Sequence, residues 1–167
     1  VWSLVNWQIE EPIMLIILCF LASLALIFKV EGTTNRSHYT FSFIIYGFTF
    51  AHLGVTQAII VILISNFAEW VINRPPWYIQ IFNTACYIFV IHIAGIIFAR
   101  INPSLSVDSL IGIIAIAASM VVFTILNHFV VGIIVWLARG ENFRQSGIFD
   151  LMPLIIDLTL LTLGAMF

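Results

Sequence analysis

A long apolar run between a proline pair and an arginine limits most strongly how this chain can fold. It extends from Pro75 to Arg100, and its centre is long enough to cross a bilayer, for which a helix needs roughly 20 apolar residues. The run also contains Asn83 and His92. Because hydrocarbon cannot solvate an amide or an imidazole, these groups should face protein and not lipid. The run therefore predicts a membrane helix packed among partner helices.

Composition extends this prediction to the whole chain. Of its 167 residues, 62% are hydrophobic and 8% are charged, whereas about a quarter of the residues of a soluble domain are charged. The mean hydropathy is +1.14. The formal net charge of −2 is too small to indicate nucleic acid as a partner. Cys19 and Cys86 lie inside apolar segments, which predicts buried thiols and neither a disulfide nor a metal pair.

Six apolar segments predict an all-α fold, a polytopic transmembrane helical bundle of about six membrane segments. They cover residues 12–28, 39–53, 55–72, 77–99, 108–138 and 148–167. The second is short, so it is either a tight hairpin with the third or a partly inserted element. We expect residues 1–167 to form a single transmembrane domain. Because the chain starts at Val1 and stops at Phe167 inside an apolar run, we also expect it to be part of a longer polypeptide.

The basic residues predict an orientation in the membrane. Five of the six fall in odd-numbered loops, which the positive-inside rule places in the cytoplasm: Lys29, Arg36, Arg74, Arg139 and Arg144. Only Arg100 falls in an even-numbered loop. Trp70 and Trp77 flank the Arg74 turn, where amphipathic rings are typical of headgroup depth.

Polar side chains within the apolar segments are the candidate site. At 1.5 Å per helical residue from the cytoplasmic end, six of them lie roughly 9 to 15 Å deep, and Thr124 shares the helix faces of Asn127 and His128. Together they form one layer in the inner half of the bilayer: Asn66, Asn83, Tyr87, Thr124, Asn127, His128 and Asp157. They either line a small-molecule pocket or hydrogen-bond the helices together. Asn83 and Asn127, for example, could bond each other or nearby backbone. Three further candidates, His52, His92 and Ser119, lie toward the outer side.

Asp157 is the most informative of these residues. A carboxylate at mid-helix costs about 2.5–3.5 kcal/mol if it faces lipid. It must therefore pair, protonate or line a wet cavity. The alternatives are an ion or ligand contact, a pair with His128, or a hydrogen-bonded acid that fixes helix packing.

Enzymatic and cofactor chemistry is not indicated. His92 and His128 invite a bis-histidine haem, but His92 lies toward the outer side and His128 in the inner layer, so we do not expect one iron to bind both. The sequence contains no nucleophile–base set, glycine-rich phosphate loop or metal-ligand cluster. We expect no enzyme activity within this chain, no cofactor and no metal.

Four stretches of the chain resemble the multi-pass bacterial sensor domains of the MASE type. They are YTFSFIIYGFTFAHLGVTQAIIVILISNFAEW (39–70), RPPWYIQIFNTACYIF (74–89), VVFTILNHFVVGIIVWLARGENFRQ (121–145) and PLIIDLTLLTLGAMF (153–167). The Phe82-Asn83 and Leu126-Asn127 pairs carry the resemblance. It implies a sensory module of the bacterial cytoplasmic membrane, placed before a GGDEF or HD-GYP output domain in signalling related to cyclic-di-GMP. This sequence contains neither motif, so no catalytic residue is carried over, and Asp157 lies outside the resembling pattern.

Three functions follow as hypotheses. The first is a sensory domain that binds a small-molecule ligand, or responds to the bilayer or a partner, and acts on a cytoplasmic output domain. The second is the substrate-binding membrane subunit of a transporter, with an outward pocket lined by His52, His92 and Ser119. The third is an accessory subunit whose small-residue stripe is covered by a partner membrane subunit. The sequence leaves a homodimer open.

Overall fold

The chain folds into helices at the places that its apolar segments predict. The computed structural model describes residues 11–31, 38–104, 107–139 and 150–167. In that part of the chain it has α1 (Pro12–Ile27), β1 (Val30–Glu31), β2 (His38–Tyr39), α2 (Ser42–His52), α3 (Val55–Asn73), α4 (Trp77–Ile101), α5 (Leu110–Arg139) and α6 (Leu151–Met166). The two strands are only two residues long and pair antiparallel. The all-α class is confirmed, and the helix ends agree with the predicted segments to within a helical turn.

Prolines and glycines set several of these ends. Pro12 and Pro153 lie in the first turns of α1 and α6, where an amide has no partner within the helix. Gly54, with φ 91°, makes the tight turn between α2 and α3, a conformation that glycine adopts without steric cost. Arg74, with φ 49°, ends α3, and Pro76 then precedes α4. The predicted hairpin of the second and third segments is thus present.

The number of spanning helices is smaller than the prediction of about six. Within the described residues, three helices are long and apolar enough to cross a membrane: Val55–Asn73, Trp77–Ile101 and Leu110–Ala138. The helices α1 and α6 have 16 residues each, or about 24 Å at 1.5 Å per residue. The 11 residues of α2 reach only about 16 Å, against a hydrocarbon core of roughly 30 Å. The prediction holds for α3, α4 and α5 only.

The helices form one bundle, and α2 lies among several of the others. The helix α1 packs on α3, α3 on α4, α4 on α5 and α5 on α6, and α2 contacts α1, α3 and, most extensively, α6. Large side chains from several helices fill the core, among them Tyr46, Phe50, Ile91, Phe123 and Leu161. The core therefore lies around the short helix.

Two glycines let α2 and α6 approach until their backbones touch. A Cβ atom added at Gly47 would overlap the carbonyl oxygen of Leu161, and one added at Gly164 would overlap the carbonyl oxygen of Ile44. Small residues allow this kind of close approach between membrane helices. The crossing of α2 and α6 thus rests on backbone contact.

The outer surface of the bundle is as apolar as its core. Large apolar side chains stand exposed on every helix except α2, including Ile13, Phe67, Ile81, Leu110 and Ile155. A helix that is apolar all round is buried in protein or embedded in lipid. Together with the three candidate spans, this surface is that of a membrane protein.

Candidate functional site

The first part of the site is a buried ion pair between α1 and α3. Lys29 follows α1, and its Nζ lies 2.7 Å from Oε1 of Glu69. The side chain of Glu69 is 7% exposed and that of Lys29 is 32% exposed. The second carboxylate oxygen of Glu69 accepts a hydrogen bond of 3.1 Å from Nε2 of Gln80 on α4. Both oxygens of this buried acid are therefore satisfied.

Gln80 extends the contacts of Glu69 to a buried amide. Its Nε2 lies 2.7 Å from the backbone oxygen of Asn66 and 3.2 Å from Oδ1 of that residue. The Asn66 amide in turn donates to the backbone oxygen of Ile62 at 2.9 Å and, more weakly, to the hydroxyl of Tyr46 at 3.4 Å. Asn66, a predicted site residue, thus lies at the centre of the contacts.

Tyr46 brings the central helix α2 into the same set. Its hydroxyl lies 2.8 Å from Oγ of Ser65, and the whole side chain is buried. Because the Ser65 hydroxyl also reaches the backbone oxygen of Ile62, Tyr46 is the natural donor to Ser65. We call the connected set the polar network: Lys29, Glu69, Gln80, Asn66, Tyr46 and Ser65. It ties α2, α3, α4 and the end of α1 together through directional bonds.

Aromatic rings continue from the polar network toward α5. The ring centroid of Tyr87 lies 6.1 Å from that of Tyr46 and 5.7 Å from that of Phe43. It also stacks nearly parallel on Phe123, with centroids 6.5 Å apart. Aromatic pairs at these distances favour tilted or offset packing. Tyr87, a predicted site residue on α4, therefore packs against α2 and α5.

A histidine–aspartate pair joins α5 to α6. Nε2 of His128 lies 3.0 Å from Oδ2 of Asp157, and the two side chains are 8% and 15% exposed. Pairing with His128 was one of the alternatives for Asp157, and the structure brings these two residues into contact. The carboxylate thus faces protein and not the apolar outer surface of the bundle.

Asn127 makes a separate contact between α4 and α5. Sγ of Cys86 lies 3.3 Å from Oδ1 of Asn127, and both residues are buried. Cys86 and Cys19 are both buried free thiols, as predicted. The alternative in which Asn83 bonds Asn127 is not realised. Asn83 is half-buried, and its amide makes no hydrogen bond within the described residues.

Thr124 and the outer-side candidates stand apart from these contacts. The hydroxyl of Thr124 is buried one turn before His128, and no hydrogen-bond partner for it lies in the described part of the chain. Ser119 is buried and donates to the backbone oxygen of Ala115 at 2.7 Å. His52 is exposed and stacks on Phe48 at 4.7 Å, and His92 is half-buried. None of these contacts brings two of the candidates together.

Most of the polar network does not follow from local patterns in the sequence. Asn66 alone was a site candidate, although Glu69 follows it on α3 by one helical turn. A carboxylate one turn from a buried amide is a usable signal, because the two share a helix face. Lys29 and Glu69, by contrast, are 40 residues apart, and no local spacing connects them.

Across the described ranges, no three His, Cys, Asp or Glu side chains come together as metal ligands. No family model, curated protein or solved structure matches this chain. The polar network and the His128–Asp157 pair are therefore the basis for a functional proposal.

Proposed function

We propose that this chain is a membrane-embedded sensory, or input, domain of a bacterial signalling protein, without catalysis of its own. The observation that carries the proposal is the polar network, in which a few buried bonds tie α2, α3 and α4 to the end of α1. The His128–Asp157 pair links the two remaining helices in a similar way. The resemblance to MASE-type domains in four stretches of the sequence supports the same class.

Buried polar bonds are suited to a sensory domain because each bond has two states, formed and broken. A buried ion pair adds little net stability, yet breaking one costs about 3–5 kcal/mol, since a charge is left unpaired. Helices joined in this way have discrete arrangements and do not deform continuously. A stimulus that binds one arrangement more tightly shifts the population toward it.

The proposed placement is a multi-pass helical bundle in the bacterial cytoplasmic membrane. The helices α3, α4 and α5 span the bilayer, and α1 and α6 fit by local thinning of the bilayer around them. The short α2 is enclosed by its neighbours. The basic residues place the Arg74 turn, together with Lys29, on the cytoplasmic side, where an output domain or partner would receive the signal.

Contacts of the outer-side residues do not favour the transporter alternative. The Ser119 hydroxyl is already bonded to its own helix, and His52 is exposed and stacked on Phe48. An outward substrate pocket would need these side chains turned inward together.

Spin-label distances across the bundle test the proposal. Ile72 on α3 and Met152 on α6 are exposed, so labelled cysteines at these positions should not disturb packing. In lipid nanodiscs, Glu69→Gln should change the distance distribution, because it removes the charge that holds Lys29. Asp157→Asn should change it as well. Asp108→Asn, an exposed carboxylate, is the matched control and should match the wild type.

If the wild type and both variants give the same distance distribution and retain their helicity, the sensory proposal is contradicted. It would indicate a static bundle and favour the accessory-subunit role.

A further inference from the structure

An apolar groove opens between α3 and α4 on the outside of the bundle. Its volume is about 410 Å³. Phe67 and Trp70 line it from α3, and Trp77, Ile81 and Ile88 line it from α4. All but Ile88 have exposed fractions above 40%, so the groove faces the surroundings of the protein and not its core.

The length of the groove matches one leaflet of a bilayer. From Trp77 to Ile88 the lining residues of α4 cover 11 helical steps, or about 16 Å. The hydrocarbon core is roughly 30 Å thick, so one leaflet provides about half of that. The groove is thus as long as an acyl chain that reaches from the headgroups to the bilayer centre.

The polar groups in the floor of the groove are already bonded within the protein. The amide of Gln80 contacts Asn66 and Glu69, and the hydroxyl of Thr84 donates to the backbone oxygen of Gln80 at 2.8 Å. An occupant would therefore meet apolar surface, and it would need no hydrogen-bonding groups of its own at this depth.

A second cavity adjoins the groove at the turn between the two helices. It has a volume of about 400 Å³, is lined by Arg74, Pro75 and Pro76, and shares Trp70 and Trp77 with the groove. Arg74 is exposed, and no carboxylate of the described residues pairs with it. The first turn of α4 has no side-chain cap, so its amides add to the positive potential here.

We infer that this continuous surface binds an anionic glycerophospholipid, with its phosphate at Arg74 and one acyl chain in the groove. The end of α3 and the start of α4, both candidate spans, place Arg74 at the membrane interface. Trp70 and Trp77 have the position of interfacial aromatic residues beside it. A basic residue near the membrane surface is worth about fivefold in affinity for an anionic lipid. The inference does not depend on the sensory function.

Tryptophan quenching by brominated lipids tests the site. The protein with Trp2, Trp7 and Trp136 replaced by Phe retains Trp70 and Trp77 as reporters. It is reconstituted in phosphatidylcholine vesicles that contain either acyl-brominated phosphatidylglycerol or acyl-brominated phosphatidylcholine at equal mole fraction. We expect phosphatidylglycerol to quench with about fivefold higher apparent affinity.

Three substitutions at exposed positions separate the charge from the groove. Arg74→Gln should abolish the preference for phosphatidylglycerol, whereas Arg100→Gln, at the other end of α4, should retain it. Ala85→Phe should fill the groove and reduce quenching by both lipids. Equal quenching of the parent protein by the two lipids would overturn the inference. So would a preference that survives Arg74→Gln, or one that Arg100→Gln removes equally.

Discussion

The polar network and the crossing of α2 with α6 hold helices together in different ways. In the network, the Glu69 carboxylate and the Gln80 amide form directional bonds that a proton, a ligand or a substitution can break. At the crossing, Gly47 and Gly164 allow backbone to lie on backbone. In lipid there is little hydrophobic force between helices, so packing and hydrogen bonds are the two means of association. The comparison indicates a rigid contact beside an adjustable one.

The largest effect is expected at the crossing. Gly164→Ala places a methyl group where the carbonyl of Ile44 lies, and backbone cannot move aside as a side chain can. We expect a loss of about 3 kcal/mol or more in the free energy of unfolding. Unfolding by SDS in mixed micelles, followed by circular dichroism, measures it. Thr159→Ala, exposed on the same helix, should stay within about 0.5 kcal/mol of the wild type.

Breaking the ion pair should cost less. Lys29→Met leaves the buried Glu69 carboxylate without its cation. We expect about 2 kcal/mol, below the range for a fully buried pair because the Lys29 side chain is 32% exposed. The same SDS titration measures the loss. A change under about 0.5 kcal/mol would mean that Glu69 does not depend on Lys29 for its stability in the fold.

The His128–Asp157 pair should respond more weakly. Asp157→Asn keeps the shape and one hydrogen bond but removes the charge, so we expect a loss of about 1 kcal/mol. Asp150→Asn, at an exposed acid before α6, is the control and should be neutral. Equal losses in the two variants would show that the effect is not specific to the pair.

The smallest loss of stability is expected for the contact of Asn127, and Asn83 is its comparison. Cys86→Ala removes a weak thiol donor to Asn127, so we expect a loss of about 1 kcal/mol or less. Asn83→Ala should change stability by less than about 0.5 kcal/mol, because its amide makes no bond in the described residues. A larger loss in Asn83→Ala than in Cys86→Ala would reverse the two assignments.

The sequence predicted the helices well because their ends carry local signals. Gly54 precedes the start of α3 and the Pro75-Pro76 pair follows its end, and the apolar runs give the lengths of the helices. The predicted number of spans was wrong, since only three helices of the described residues are long and apolar enough to cross a membrane. Apolar composition does not distinguish a helix enclosed by protein, such as α2, from one that crosses lipid, and α1 and α6 are apolar but only 16 residues long.

Depth counting predicted one part of the site and missed another. It placed His128 and Asp157 at similar depth, and they are in contact. It gave no reason to connect Lys29 with Glu69, since a pair across 40 residues depends on which helices are neighbours. It also placed Asn83 in the layer, although a depth says nothing about which way a side chain faces.

The central claim is that buried polar groups from different helices bond one another in the folded protein. A double-mutant cycle in lipid nanodiscs with Lys29→Met, Glu69→Gln and both together tests it most directly, because it isolates the pair from the effects of each single change. We predict a coupling free energy of about 1 kcal/mol or more, with the double variant more stable than Lys29→Met alone. Additive losses, with a coupling near zero, would contradict the account.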